Sequence, residues 1–114
     1  MGMQSAHDIS LGEFEQLILL ALLRLQDNAY GATIHQEVQK RTLRSISISA
    51  VYTTLDRLAG KGLVESQIGD PTPRRGGRRK KIFRLMPEGA EALSQSYRVF
   101  REMTRGLERR LEKL

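Results

Sequence analysis

Two short β-type runs around a glycine- and proline-rich segment are the feature that most constrains the fold. The runs are residues 63–68 (LVESQI) and 80–85 (KKIFRL). The segment between them, residues 69–79, holds three glycines and two prolines, which interrupt helices and strands. The pattern therefore predicts a β-hairpin with a long tip.

The hairpin also carries the charge of the chain. Residues 74–84 (RRGGRRKKIFR) contain seven of the 19 Lys and Arg residues and no acidic residue. The rest of the chain then has 12 basic and 13 acidic residues, a net charge of −1 against +6 for the whole. A basic segment on a near-neutral body suits phosphate binding, because each neutralised phosphate releases counterions. A basic loop kept for solubility is the alternative at this point.

Helical patterns precede the hairpin. The first helix is predicted over 11–25, from a capping box of Ser10 and Glu13, and it is apolar on more than one side. The second is predicted to begin at Tyr30 and Gly31 and to end near Lys40. The first helix is so apolar that, near the start of a small domain, we expect it to lie centrally or to be covered by a second chain.

A third helix is predicted from Ile48 to Lys61, with Ser47 as its N-cap and Gly62 just past its end. The run 44–47 before it has β-type composition. Helix, helix, strand, helix and basic hairpin is the order of a winged helix-turn-helix. The fold class we predict is mainly α with a small β-hairpin (α+β).

The third helix is predicted to be buried on one side and exposed on the other. Val51, Leu55 and Leu58 form its buried stripe, and Asp56 lies on the opposite face. On its own this face could be an ordinary solvated surface, but the order of elements favours contact with the major groove of DNA. The predicted DNA-binding residues in this region are Tyr30, Ser49, Ala50, Tyr52, Thr53 and Arg57. Those of the hairpin, predicted to bind phosphates or a minor groove, are Arg74, Arg75, Arg78, Arg79, Lys80 and Lys81.

A last helix is predicted from Pro87 to the C-terminus, interrupted in sequence only by Gly106. Apolar residues alternate spacings of three and four through four heptads, with Thr104 as the polar member. A helix of about 27 residues is roughly 40 Å long, more than a small domain can cover. We therefore predict a homodimer, with an intramolecular helix and a frayed end as the alternative. The predicted interface residues are Phe14, Leu17, Leu93, Tyr97, Phe100, Thr104, Leu107 and Leu111.

These patterns divide the chain into a flexible N-terminus (1–10), a winged helix-turn-helix domain (11–86) and a C-terminal dimerisation helix (87–114). The chain has no cysteine, and its two histidines, His7 and His35, are poor material for a metal site. No cofactor is expected. The sequence offers no set of catalytic residues, so we do not expect an enzyme.

The expected location is the cytoplasm. The longest apolar run, residues 17–23, is far too short to span a bilayer. The N-terminus shows no basic region ahead of an apolar stretch, so it does not have the pattern of a signal peptide. We expect a soluble cytoplasmic protein without a membrane partner.

Several segments together resemble the PadR family of transcriptional regulators. They are residues 11–15 (LGEFE), Tyr30 with Gly31, 48–58 (ISAVYTTLDRL) followed by 61–64 (KGLV), 78–85 (RRKKIFRL) and 87–89 (PEG). The resemblance extends over about residues 11–110, and the order and spacing of the segments make it specific. It assigns 48–58 to the recognition helix and 78–85 to the return strand of the wing.

The resemblance implies a homodimeric regulator, usually a repressor, bound to a palindromic operator. Dimerisation in the family uses the C-terminal and N-terminal helices, and some short members bind small aromatic effectors near the interface. The sequence departs from the family at Met86, where a threonine N-cap is common, and at Ser49, where glycine is common. It also has no tryptophan, so a tryptophan-lined drug pocket is not expected.

The functional prediction is a sequence-specific DNA-binding regulator, acting as a repressor on an inverted repeat, with release by a small-molecule effector left open. Its predicted partners are double-stranded DNA and a second copy of the chain. The alternatives are a winged helix used for protein interaction and a non-specific DNA-binding protein.

Overall fold

The computed structural model describes residues 10–69 and 80–114. These residues form a mainly α structure with one antiparallel hairpin, which confirms the predicted fold class. In chain order the elements are α1 (Glu13–Leu25), a 3₁₀ turn (Gln26–Asn28), α2 (Gly31–Thr42), α3 (Ile48–Gly60), β1 (Val64–Ile68), β2 (Lys81–Leu85), α4 (Pro87–Thr104) and α5 (Glu108–Glu112).

The start of α1 differs from the prediction. Ser10 is exposed and lies before the helix, so the predicted capping box at Ser10 is wrong. Gly12 is the N-cap, and its backbone N–H donates to Oε1 of Glu15 at 3.0 Å. The carboxylate three residues into the helix therefore satisfies the backbone, as in the second half of a capping box.

The ends of α3 follow the prediction closely. The Ser47 hydroxyl accepts a hydrogen bond from the N–H of Ala50 at 3.1 Å, which confirms the predicted N-cap. Gly62 has a φ of 78°, in the left-handed region that glycine adopts without steric cost. The helix ends at Gly60, and the chain reverses there into the hairpin.

The predicted strand at 44–47 is wrong. Side chains of α2 hold this segment as a loop, because the Gln39 amide oxygen accepts from the N–H of Ile46 at 2.8 Å and His35 Nε2 bonds to the Ile46 carbonyl. The hairpin instead meets extended backbone before α2. There Tyr30 forms a bridge with Ile82, and the N–H of Phe83 donates to the Ala29 carbonyl at 2.9 Å.

The hairpin pairs in register from Val64 opposite Leu85 to Ile68 opposite Lys81. The start of α4 then lies against the backbone between α3 and β1. The N–H of Met86 donates to the Leu63 carbonyl at 3.0 Å, and a Cβ added to Gly89 would lie 2.1 Å from the same oxygen. Only glycine at position 89 allows this close approach.

The core lies where α1 meets the other elements. Side chains from α1, α2, α3 and the hairpin region contribute to it, and α1 packs against α2, α3, α4 and β2. This central position agrees with the apolar character of its sequence. The largest fully buried side chains are Ile18, Leu19, Ile34, Val51, Leu55, Leu58, Leu63 and Phe83.

The C-terminal region is two helices, so the predicted continuous helix is wrong. Helix α4 ends at Thr104, and Gly106 has a φ of 84°, which a right-handed helix cannot contain. The short α5 follows from Glu108. With 18 residues, α4 is roughly 27 Å long, which shortens the predicted stripe by about a third.

Candidate nucleic-acid interface

Helix α3 turns a polar face away from the core. Its buried side consists of Val51, Thr54, Leu55 and Leu58. Ala50, also predicted to bind DNA, lies half-buried on the flank. The exposed polar side chains of α3, called the α3 face below, are Ser49, Tyr52, Thr53, Asp56 and Arg57. The face is thus fixed to a rigid core while its own side chains reach solvent.

Tyr52 links α3 to the start of α2. A Cβ added to Gly31 would lie 2.1 Å from the Tyr52 hydroxyl oxygen, so the ring occupies the space that any other residue at position 31 would need. The Tyr52 ring also lies 6.5 Å, centroid to centroid, from that of Phe83 in β2. Gly31 and Tyr52 were both singled out from the sequence, but their contact was not.

Tyr30 lies between α2 and the hairpin. Its N–H donates to the Thr33 hydroxyl at 2.9 Å, which fixes the first turn of α2. The ammonium of Lys80 lies 5.0 Å from the centroid of the Tyr30 ring, within cation–π range. Three of the predicted DNA-binding residues, Tyr30, Tyr52 and Lys80, are therefore neighbours where α2, α3 and the hairpin meet.

The loop end of the hairpin, where β2 begins, is cationic and exposed. Lys80 and Lys81 both reach solvent at the start of β2. The other predicted hairpin residues lie outside the described residues; these are Arg74, Arg75, Arg78 and Arg79. The predicted flexible segment 1–10 lies outside as well, except for Ser10.

The loop before α3 is tied back to α1. The Arg44 guanidinium donates to both carboxylate oxygens of Glu13, at 3.0 and 3.2 Å. This pairing lowers the pKa of the Glu13 carboxyl and raises the pKa of Arg44. Together with the bonds from His35 and Gln39 to Ile46, it holds the loop that leads into α3.

A second ion pair joins α1 to the end of α3. Nζ of Lys61 donates to Oε2 of Glu15 at 2.8 Å, while the other oxygen of Glu15 caps α1. The Glu15 side chain is 9% exposed and that of Lys61 is 36% exposed. Burial raises the pKa of the Glu15 carboxyl. The hydrogen bonds from Lys61 and Gly12 and the nearby positive charges lower this pKa, and together they outweigh the effect of burial, so the pKa lies below its ordinary value of 4.5.

This ion pair was not predicted from the sequence. Glu15 was noted only as part of the family segment, and its partner lies 46 residues further along the chain. A glutamate three residues after Gly12 is a sequence signal for the cap, but no local pattern indicates the contact with Lys61.

On another side of the fold, α1 and α4 enclose an apolar groove of about 320 Å³. Leu20 and Leu23 of α1 and Tyr97 and Phe100 of α4 are 43–69% exposed there. Leu93, a predicted interface residue, is buried and forms part of the groove's floor together with Leu85. We call this feature the apolar groove.

The other predicted interface residues differ in exposure. Phe14 and Leu17 are half-buried and pack against the chain's own core, whereas Leu20 and Leu23, which were not predicted, are exposed. Thr104 is half-buried at the end of α4. Leu107 and Leu111 are exposed beyond the break at Gly106.

Metal-binding clusters and membrane-spanning helices are absent from the described ranges, 10–69 and 80–114. No cluster of His, Cys, Asp or Glu in them could hold a metal ion. No helix in these ranges is both long and apolar enough to cross a membrane.

A helix-turn-helix followed by an antiparallel hairpin against its recognition helix defines a winged-helix protein. Residues 19–95 match the model of the "Transcriptional regulator PadR-like family", and the chain belongs to this family. It is therefore a DNA-binding transcriptional regulator and not an enzyme.

Individual relatives agree with this assignment. The chain is 31% identical over 81 residues to a transcriptional regulator of Mycobacterium tuberculosis, covering 69% of each chain. It is similar in structure to a PadR family transcription regulator from Clostridium difficile, with a TM-score of 0.72, 27% identity and coverage of 88% of this chain and 99% of that one. The fold is also that of a winged-helix DNA-binding protein, F93 from STIV, with a TM-score of 0.65, 17% identity and coverage of 83% and 95%.

Proposed function

We propose that this protein is a repressor that binds an inverted-repeat operator as a homodimer. Residues 11–86 would bind DNA, and residues 87–114 would hold two subunits together with α1. The observation that carries the proposal is the meeting of the α3 face, the start of α2 and the cationic loop end of the hairpin in one region.

The proposed contacts follow from the exposure of each side chain. Ser49, Thr53 and Arg57 are exposed on α3 and would reach base edges or phosphates in the major groove. Tyr52 and Tyr30, at the junction with α2, would contact the DNA backbone.

The hairpin would supply affinity that does not depend on sequence. Lys80 and Lys81 are exposed at its loop end, and the sequence adds Arg74, Arg75, Arg78 and Arg79 between the strands. These side chains would bind phosphates or enter a minor groove, where arginine favours narrow A·T-rich stretches.

The apolar groove supports the proposed homodimer. Several large apolar side chains are exposed together in it, and a soluble monomer rarely exposes such a contiguous surface. A second copy, related by a two-fold axis, would bury this surface against its own α1 and α4. The two recognition helices would then address successive half-sites about one helical turn apart.

Repression would follow from occupation of the promoter. Release by a small apolar effector belongs to the same proposal: an effector in the groove, whose volume of about 320 Å³ is at the lower end of the range for small-molecule sites, would compete with the second copy for this surface. Titration with an apolar fluorescent probe would test it; the Phe100→Glu variant should lose the binding seen with the parent chain. Equal binding by both would contradict the effector step.

The central experiment is selection of bound fragments from the source genome, followed by binding at several salt concentrations. We expect an enriched inverted repeat and an affinity that falls steeply with log salt concentration. Arg78→Ala with Arg79→Ala should flatten this slope. The matched control is Arg109→Ala with Arg110→Ala in α5, which should leave the slope unchanged.

The outcomes separate the rival functions. Enrichment of unrelated fragments would favour a non-specific DNA-binding protein, and no salt-dependent binding would favour a protein-interaction module. A reporter gene under a promoter that contains the recovered repeat tests repression; increased expression with the protein present would contradict it.

A further inference from the structure

Asp56 is poorly suited to its position as a structural residue. It lies in the C-terminal half of α3, where a negative charge is unfavourable to the helix dipole, and aspartate is a weak helix former. The residues three and four positions away are Tyr52, Thr53, Ala59 and Gly60, none of which is cationic. Asp56 thus lacks the usual pairing along a helix.

Tertiary contacts within the described part of the chain do not compensate for this. Among residues 10–69 and 80–114, none forms an ion pair or hydrogen bond with Asp56, which is exposed. Asp56 therefore contributes little to folding, and a side chain that breaks local rules without compensation is a candidate for a functional role.

The position of Asp56 on α3 indicates what its functional role is. At 100° per residue, Asp56 lies near the middle of the α3 face, between Ser49 and Thr53 on one side and Tyr52 on the other. In the proposed complex this face enters the major groove, whose walls carry negatively charged phosphates. A carboxylate there is repelled by every DNA sequence, unless a base offers it a hydrogen-bond donor.

We propose that Asp56 determines sequence specificity by accepting a hydrogen bond from the exocyclic amino group of a cytosine in each half-site. Carboxylates in the major groove pair with the cytosine N4 amino group. On other sequences the unpaired charge opposes binding. The residue therefore raises the ratio of specific to non-specific affinity, and this inference rests on the proposed function.

Two substitutions separate the charge from the hydrogen bond. Asp56→Asn removes the charge and keeps an acceptor, and we expect it to tighten binding to random-sequence DNA by about 3- to 10-fold. Asp56→Ala removes both. In the wild type, replacing the recognised C·G pair by T·A should weaken binding by about 5- to 100-fold, and in Asp56→Ala this loss should disappear.

The experiment selects bound fragments with the full-length wild type and both variants, then measures affinities by fluorescence anisotropy. Asp27→Asn, in the 3₁₀ turn between α1 and α2, is the matched control that removes one exposed negative charge outside the α3 face, and it should behave as the wild type. Thermal unfolding followed by circular dichroism should show that both Asp56 variants fold.

A cytosine preference at one position per half-site that is lost in Asp56→Ala supports the inference. The same preference in wild type and Asp56→Ala, or unchanged random-sequence affinity in Asp56→Asn, would overturn it while leaving DNA binding intact. A wild type that enriches no DNA at all would overturn the proposed function, and this inference with it.

Discussion

At the residue scale, the Glu15 carboxylate connects two elements that have different roles. One oxygen caps α1, which lines the apolar groove, and the other pairs with Lys61, which directly follows α3. The pair therefore helps to fix how α3 sits on α1. Because the side chain is almost fully buried, its charge depends on both hydrogen bonds.

We predict that Glu15→Gln lowers the free energy of unfolding at pH 7 by about 1–2 kcal/mol, since Lys61 is partly exposed and water can solvate it. The pKa of Glu15 is lowered in the folded state, so its stabilisation is present above pH 4.5 and is lost as the pH falls through the folded-state value. Urea unfolding at several pH values checks this. The stability difference between wild type and variant should shrink on acidification below pH 4.5; a constant difference would contradict the assignment.

The contact between Gly31 and Tyr52 gives a second residue-scale prediction. In an isolated helix, alanine is more stable than glycine by about 1 kcal/mol. Here we expect Gly31→Ala to destabilise the protein by about 2 kcal/mol, because the new Cβ would overlap the Tyr52 ring. In a Tyr52→Ala background the same change should cost little or should stabilise. Chemical denaturation of the four proteins in this double-mutant cycle measures the coupling, and an additive result would count against the contact.

At the element scale, α2 ends in an unusual way. Leu43 is the C-cap, with a φ of 58°, and its side chain is 89% exposed. Left-handed backbone is costly for any residue that carries a Cβ, and glycine is the usual residue at such helix ends.

We predict that Leu43→Gly raises the free energy of unfolding by about 0.5–1 kcal/mol, because it relieves this backbone strain. Leu43→Ala is the matched control: it removes the same exposed side chain but keeps a Cβ, so it should leave stability nearly unchanged. Urea denaturation measures both. Equal stabilisation by the two variants would show that loss of the exposed side chain, and not the backbone, is responsible.

The elements themselves were largely predictable from local signals. Ser47 and Gly62 mark the ends of α3 by side-chain and backbone chemistry that acts within four residues, and the hairpin is evident from its flanking breakers. The loop at 44–47 was not predictable, because side chains of α2 determine it. The break occurs at Gly106, which was noted in the sequence, but the sequence does not distinguish a glycine within a helix from a glycine that ends one.

The candidate site likewise has features that local sequence patterns predict and features that depend on the packing of distant segments. The exposed and buried faces of α3 follow from its period, so the α3 face was predicted almost completely. The pairing of Glu15 with Lys61 and the close approach of Tyr52 to Gly31 depend on how distant segments pack, and no spacing within the sequence indicates them. The same holds for Leu20 and Leu23, whose exposure depends on where α4 lies.

At the scale of the whole molecule, the apolar groove gives the test of assembly. We predict that the wild type sediments as a dimer and that Leu23→Glu or Phe100→Glu weakens self-association by about 100-fold, because each places a charge in an otherwise apolar interface. Ile68→Glu, at an equally exposed apolar side chain of β1, is the control and should remain dimeric. Analytical ultracentrifugation over a range of concentrations measures this, and a monomeric wild type would contradict the proposed dimer.

The separation of the α3 face from the core has a consequence for how such regulators diversify. Ser49, Thr53, Asp56 and Arg57 are exposed, while stability resides in the opposite side of the helix. After gene duplication, substitutions at these four positions could change the preferred operator without unfolding the protein. Tyr52 is the exception, since its ring is tied to Gly31. A library randomised at the four positions, with Tyr52 kept, is therefore a direct route to orthogonal regulators, which do not bind one another's operators.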